Sequence, residues 1–373
     1  MLITILTAIL LLLYAILILF YYFHWKRVPV FTLDNPSADR PKVSVIIAAR
    51  NEEDNLPLLL EDLKNQTYPV ELYEVIVVND FSTDGTASII EKFSNNFRML
   101  LPACSPEQSG KKKAIATGVQ HASGELIAVT DADCRLEPHW LSYLAHFYFS
   151  TSASFIAAPV QYQHNHSLLE ILQALDFMTL QGITAASVSS GYANMANGAN
   201  LAYAKNAFIT VNGFDGIDNV ATGDDMLLME KIWKLDAMKV RYLKSKEAIV
   251  KTAPMHNWKD FLMQRRRWAS KTFVYDDFKI TATLALVYLV NLLFFLLIIA
   301  AVINSHFWTL LLIYLIIKTL IELPFISSVA RFYNEQNLIK YFFPLQPIHI
   351  TYTVLVGLLS QFGKYEWKGR RVR

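Results

Sequence analysis

The chain has 373 residues, enough for one sizeable domain plus membrane helices, and it is 53% hydrophobic with only 18% charged residues. A net charge of +2 gives no electrostatic case for nucleic acid as the main partner. Cys104 and Cys134 are the only cysteines, which excludes a disulfide scaffold and a Cys-based zinc site.

Leu2 to Phe23 is an uncharged apolar run of about the ~20 residues a spanning helix needs. No basic start precedes it and no small-residue cleavage site follows, so an anchor is expected over 1–25 rather than a cleaved signal. Lys26 and Arg27 come next, and the positive-inside rule puts them, with everything up to the next span, in the cytoplasm. His24 and Trp25 suit the interfacial belt. Pro29, Pro36 and Pro41 mark a linker over 26–41.

From residue 42 the rhythm changes. Val43–Ala48 reads as a strand, Leu56–Lys64 as a helix, Val75–Val78 as a strand and Gly85–Phe93 as a helix. Met99–Leu101 is a short strand, Ala114–Ala122 a helix and Leu126–Thr130 a buried strand. This alternation predicts an α/β fold over 42–275, with right-handed crossovers and a mostly parallel sheet covered by helices. After residue 142 the pattern loosens. Phe155–Val160, Ala199–Ala202 and Val240–Leu243 remain candidate strands, and Leu168–Ala186 a candidate helix.

The C-terminal part, 276–362, holds more apolar runs. Thr281–Ile303, broken only by Asn291, and Phe307–Ile317, extendable past Lys318 and Glu322 to Val329, form a hairpin around Asn304-Ser305-His306. Tyr341–Phe362 is weaker, with Pro344, Pro347 and His349 inside it. A full third crossing would put the basic tail (363–373) outside, against the positive-inside rule. A re-entrant or interfacial path for part of 318–362 is therefore expected.

Ligands collect outside the carboxyl ends of the strands in open α/β sheets, and the polar clusters of this sequence fall there. Asp131 and Asp133 follow the strand at 126–130 and can grip a hard divalent cation, which in turn clamps a diphosphate. A solvated acidic turn is the plainer alternative. Arg50-Asn51-Glu52-Glu53 and Asn79-Asp80-Phe81-Ser82-Thr83-Asp84 end the first two strands. Asp80 is suited to hold a base or ribose, whereas Asp84 reads as a turn or cap residue. Gly110-Lys111-Lys112-Lys113 opens a helix, where cations can meet phosphate; a solvated basic loop serves equally for Lys112 and Lys113. Asp224 and Asp225 precede an apolar helical pattern, so one can cap it and the other act as general base. Gln264-Arg265-Arg266-Arg267-Trp268 can bind headgroups as a charge run. The flanking Gln and Trp point instead to diphosphate neutralised by Arg and a flat apolar face for sugar or acceptor. Cys134, His164, His166 and His256 read as surface or packing residues.

Together these motifs resemble the membrane-anchored family 2 glycosyltransferases over residues 42–270. The likeness rests on Val43-Ser-Val-Ile-Ile with Asn51-Glu52, Val77-Val-Asn-Asp80-Phe-Ser-Thr-Asp84-Gly-Thr and Gly110-Lys111. It continues through Asp131-Ala-Asp133, Asn197-Gly-Ala-Asn200, Gly213-Phe214, Gly223-Asp224-Asp225 and Gln264-x-x-Arg267-Trp268. The resemblance implies a GT-A fold, a nucleotide-sugar donor (most often a UDP-sugar), Mg²⁺ or Mn²⁺, and inverting transfer. It implies that Asp80 and Glu52 bind the nucleoside and that Lys111 lies beside the nucleotide. Asp131 and Asp133 would hold metal and diphosphate, Asp225 would be the base beside Asp224, and Gln264, Arg267 and Trp268 would close over donor and acceptor. This chain departs from many members at Asn79, at Phe81 where a Gly is common, and at Asp224 where a Glu is common. A single transfer to a membrane lipid or lipid-linked acceptor is the expected activity. A processive polysaccharide synthase, completed by a partner or a homo-oligomer, is the alternative, and a non-catalytic membrane subunit is the reading from another class.

Overall fold

The computed structural model describes residues 2–33, 40–93, 97–102, 105, 110–191, 195–217, 223–270, 278–360, 365–367 and 370–372. Cys104, Pro36 and the tail's Lys364, Lys368 and Arg373 lie outside the described residues.

Helix α1 (Leu2–Arg27) leads to the sheet-forming region. There β1 (Val43–Ala49), α2 (Leu56–Lys64), β2 (Tyr73–Asn79), α3 (Thr86–Lys92), β3 (Arg98–Leu100), α4 (Lys111–His121) and β4 (Leu126–Val129) alternate as the apolar runs predict. The central strands are apolar on both faces because helices cover both. Val45, Ile46, Ile47, Val77 and Ile127 have no exposed surface, each worth roughly 1.5–3 kcal/mol of burial.

Next come α5 (Trp140–Thr151), β5 (Phe155–Ala157), β6 (Val160–Tyr162) and α6 (Leu168–Ser190). They are followed by β7 (Leu201–Ala204), α7 (Lys205–Thr210), α8 (Met226–Leu235), β8 (Val240–Tyr242), β9 (Val250–Thr252) and α9 (Trp258–Ala269). The expected strand 155–160 is divided at Ala158-Pro159, because Pro159 cannot donate to a ladder. β5 stays in the main sheet and β6 pairs with β9. The seven-stranded sheet runs β3-β2-β1-β4-β7-β5-β8 and is parallel except for β7, which is antiparallel to both neighbours. Its register sets Ala49 beside Asn79 and Ile46 beside Val129, so the segments after β1, β2 and β4 emerge together.

Among the described residues five helices are long and apolar enough to cross a membrane. They are α1, α6, α10 (Phe278–Ile303), α11 (Phe307–Phe332) and the segment Gln336–Leu359 that contains α12 (Phe342–Leu359). Suitable helices are thus not confined to the two ends of the chain. α6 lies in the middle, and 78% of its most apolar window is buried in protein. Its N-terminus is capped by Ser167, which accepts from Glu170 N–H while Glu170 accepts from Asn165 N–H, and its C-terminus by Gly191 at φ +67°. Its two glutamines are satisfied within the protein: Gln181 accepts from Val160 N–H and Gln173 exchanges hydrogen bonds with the Met255 backbone.

Residues 318–332, expected in part to be re-entrant or interfacial, form the second half of one continuous α11. Lys318 and Glu322 are tolerated there because they pair at 2.6 Å and also bond Gln346. The C-terminal ends of α1 and α11 both rest on the sheet domain. Lys244 donates to the carbonyls of Trp25 and Val28, Lys246 to Asn334, and Gln161 to Glu335. The turn 304–306 therefore lies at the far end of the α10–α11 hairpin.

Candidate active site

The positions following β1, β2 and β4 open onto a cleft of about 300 Å³. Glu52, Asp80, Lys111, Asp131, Asp133, Asp224, Asp225, Gln264, Arg267 and Trp268 all line it. These ten candidates thus share one cavity, although they come from six separate segments.

The two strand-end loops are braced against each other. Asn51 accepts from Thr83 N–H, Thr86 accepts from Glu52 N–H, and Glu53 accepts from Gly85 N–H. Asp84 accepts from Thr86 N–H and Oγ1 and from Glu53 N–H, so it is a turn residue just before α3, whose N-cap is Gly85, and it does not line the cleft. Those hydrogen bonds hold its carboxyl below the usual range although burial acts to raise it. Phe81 sits at φ +55°, the left-handed conformation that a glycine takes freely. The departure from glycine at this position therefore leaves the glycine-like backbone path intact.

Lys111 starts α4 directly after Gly110. Its Nζ is 2.7 Å from Asp131 Oδ1 and 3.1 Å from Asp224 Oδ2, bridging an acid that follows β4 to an acid that precedes α8. Burial alone would lower its pKa, but Asp131 and Asp224 outweigh that and raise it well above the ordinary lysine value. A Cβ at Gly198 would stand 2.7 Å from Nζ, so a larger residue there would displace the ammonium. Lys112 instead turns away to the Ile217 carbonyl, and only Lys111 of the three lysines lines the cleft.

Asp225 is the N-cap of α8. It accepts from Met226 N–H at 2.8 Å and from Gly198 N–H at 3.1 Å, while still facing the cleft. From α9, Gln264, Arg267 and Trp268 also line the cleft, and Tyr162 donates to Gln264 Oε1 at 3.3 Å.

Several lining residues were not foreseen. Arg50 donates to the Asp80 carbonyl at 2.9 Å. Tyr162 stacks on Phe177 at 4.2 Å, Phe177 lies 6.0 Å from Trp268, and Met255 completes an apolar end to the cleft. Arg50 sat inside a quoted cluster and could have been found from its strand-end position. Phe177 and Met255 carried no signal distinct from ordinary core residues. Cys134 is buried and its thiol is pushed up by burial, as suits a packing role. His164 packs against Glu335 at 3.3 Å.

The donor set also bears on metal binding. Among the described residues no three His, Cys, Asp or Glu side chains are grouped so as to cage an ion. Two carboxylates one residue apart at a strand end, facing a cleft, nevertheless suit a hard cation that keeps waters and takes its remaining ligands from a phosphate substrate. Asp133 and the second oxygen of Asp131, whose Oδ1 pairs with Lys111, fit Mg²⁺ or Mn²⁺ carried with a diphosphate.

Residues 126–330, more than half of the chain, match the family described as glycosyl transferase family group 2, and residues 44–181 match glycosyl transferase family 2. The chain is a family 2 glycosyltransferase.

Among curated relatives of this glycosyltransferase is glycosyltransferase AglE of Haloferax volcanii, 41% identical over 101 residues, which are 27% of this chain and 33% of that one. Another is the dolichyl-phosphate beta-glucosyltransferase ALG5D of Trichomonas vaginalis, 36% identical over 103 residues, covering 26% of this chain and 32% of that one. The match thus spans only about a third of either relative's length. The solved mannosyltransferase PcManGT of Pyrobaculum calidifontis, in complex with GDP-Man and Mn²⁺, superposes with a TM-score of 0.60 over 96% of this chain and 98% of that one. At 19% identity the likeness is one of fold, the GT-A fold.

Proposed function

We propose that this glycosyltransferase moves a sugar, with inversion, from a nucleotide-sugar such as a UDP-sugar to a hydroxyl of a membrane lipid or lipid-linked acceptor. The observation that carries the proposal is the convergence of Asp131, Asp133, Asp224, Asp225 and Lys111 in one cleft with Gln264, Arg267 and Trp268. Glu52 and Asp80 accept hydrogen bonds from the nucleoside. Lys111 and Arg267 balance the charge of the diphosphate, whose leaving oxygen gains electrons as the bond to the anomeric carbon breaks. A Mg²⁺ or Mn²⁺ ion held by Asp131 and Asp133 would add charge neutralisation of that diphosphate. Asp225 takes the proton of the acceptor hydroxyl as its oxygen forms the new bond to the same carbon. Nucleoside diphosphate leaves, and the proton remains on Asp225 until water removes it.

The preference for a lipid acceptor rests on where the apolar end of the cleft lies. Phe177 comes from α6, which packs on α1 and α11, and Trp268 from α9, which packs on α12. That packing sets the apolar end of the cleft beside helices suited to a bilayer, which favours an acceptor hydroxyl presented from the membrane. Lys26 and Arg27 argue for placing the domain on the cytoplasmic side.

The test is a screen of nucleotide sugars against a membrane-lipid extract with the purified full chain and Mn²⁺ or Mg²⁺, read by mass spectrometry. One new glycolipid, formed in step with released nucleotide, is expected. A ladder of polymer lengths would instead establish the processive reading. No nucleotide release from any donor would overturn both.

A further inference from the structure

Behind the cleft wall, three helices bring together an acid, a guanidinium and an imidazole that do not line the cleft. Arg265 Nη2 on α9 lies 2.7 Å from Asp176 Oδ2 on α6, and both side chains are nearly buried, at 5% and 10% exposure. His349 Nε2 on α12 faces the other Asp176 oxygen at 3.6 Å. The same guanidinium donates from Nη1 to Gln264 Oε1 at 2.9 Å and lies 4.3 Å from the Trp268 ring centre and 4.9 Å from that of Phe261. Arg265 and Trp268 are three residues apart and share a face of α9, so the cation is stacked under the ring that lines the cleft.

We propose that Arg265 and Asp176 are positioning residues for sugar transfer, fixing Gln264 and Trp268 at the acceptor end of the cleft, with His349 tying that setting to the C-terminal helix. Arg265 is nearly buried and does not line the cleft, yet it touches two residues that do. Asp176 precedes Phe177, so one turn of α6 supplies both the anchor for Arg265 and part of the aromatic wall. The planar fork of Arg serves all three contacts at once, which a lysine cannot. Glu52, Asp80, Lys111 and Asp131 meet the nucleotide from other segments, and of the nucleotide contacts named above Arg267 alone shares α9 with Arg265, so transfer should fall much further than nucleotide affinity.

The proposal rests on the transfer reading above, and its failure is separable from that one. Full-length wild type, Arg265→Met, Arg265→Lys and His349→Gln are compared in detergent, with transfer normalised to the number of UDP-binding sites found by calorimetry. Arg265→Met is expected to lose tenfold or more in kcat per binding site, with the nucleotide Kd within about threefold. Arg265→Lys should recover part of kcat, and His349→Gln should lose two- to fivefold. An unchanged kcat per site in Arg265→Met overturns the positioning role. So does loss of nucleotide binding in the same proportion as transfer, which marks a merely structural residue. Should Arg265→Met fail to fold, His349→Gln decides by the same two criteria. A wild type that turns over no donor defeats the transfer reading itself.

Discussion

Lys111 Nζ stands between Asp131 and Asp224, 2.7 Å from one and 3.1 Å from the other, so a single cation couples a residue following β4 to the acidic pair before α8. Three lysines at a helix N-terminus oppose the helix dipole. The arrangement is understandable at Lys111 because acids face it, and a diphosphate entering the same cleft brings further negative charge.

Replacing that cation should therefore weaken the donor more than the fold. Lys111→Met is expected to raise the Kd for nucleoside diphosphate tenfold or more, about 1.4 kcal/mol. Calorimetry with Mn²⁺ present checks it, and an unchanged Kd would remove Lys111 from the nucleotide site.

Asp133 offers the metal test. Asp133→Ala should bind nucleotide with an affinity that no longer responds to Mn²⁺ or to its removal by chelator, whereas wild type should lose about tenfold or more on chelation, again about 1.4 kcal/mol. Paired titrations with and without metal read this directly, independent of turnover.

Within the apolar helices, Lys318 has no exposed surface, lies 2.6 Å from Glu322 and donates to Gln346 at 3.0 Å, while Tyr14 also bonds Glu322. Removing one charge strands the other. Lys318→Met should cost about 3 kcal/mol or more, and the double variant Lys318→Met/Glu322→Leu should recover most of it. Thermal unfolding in detergent across the four-variant cycle tests this.

Lys244 lies over the Trp25 ring at 3.6 Å, and burial, then Lys26, lowers its pKa to about 8. The unfolded chain holds this proton to higher pH than the folded one does, so between about pH 8 and the ordinary lysine range stability rises with pH. Wild type should gain on Lys244→Met across that window by at most about 1.4 kcal/mol per pH unit. Unfolding temperatures of both proteins at pH 7.5, 8.5 and 9.5 check the sign.

The parallel half of the sheet was legible because β1, β2 and β4 are apolar on both faces and end in polar clusters. Their carboxyl ends carried most of the site with them. The second half was less legible for a physical reason. α5 is apolar nearly all round, so it has no clean amphipathic period, and Pro159 diverts an apparently single strand into two sheets. Phe177 and Met255 reach the cleft only because α6 and the segment after β9 close over it, a long-range consequence that no local pattern announces. The Asp176–Arg265 pair was hidden similarly, since an arginine inside a basic run reads as solvated until its partner on another helix is seen.

The central claim is that Asp225 accepts the acceptor proton in a cleft that binds a nucleotide-sugar. Its most direct measurement compares wild type with Asp225→Asn, following glycolipid formation and nucleotide affinity on the same preparations. Asp225→Asn is expected to keep the nucleotide Kd within about threefold while transfer falls by about 10³ or more. Transfer by Asp225→Asn at a rate near wild type, with nucleotide bound equally well, would contradict it.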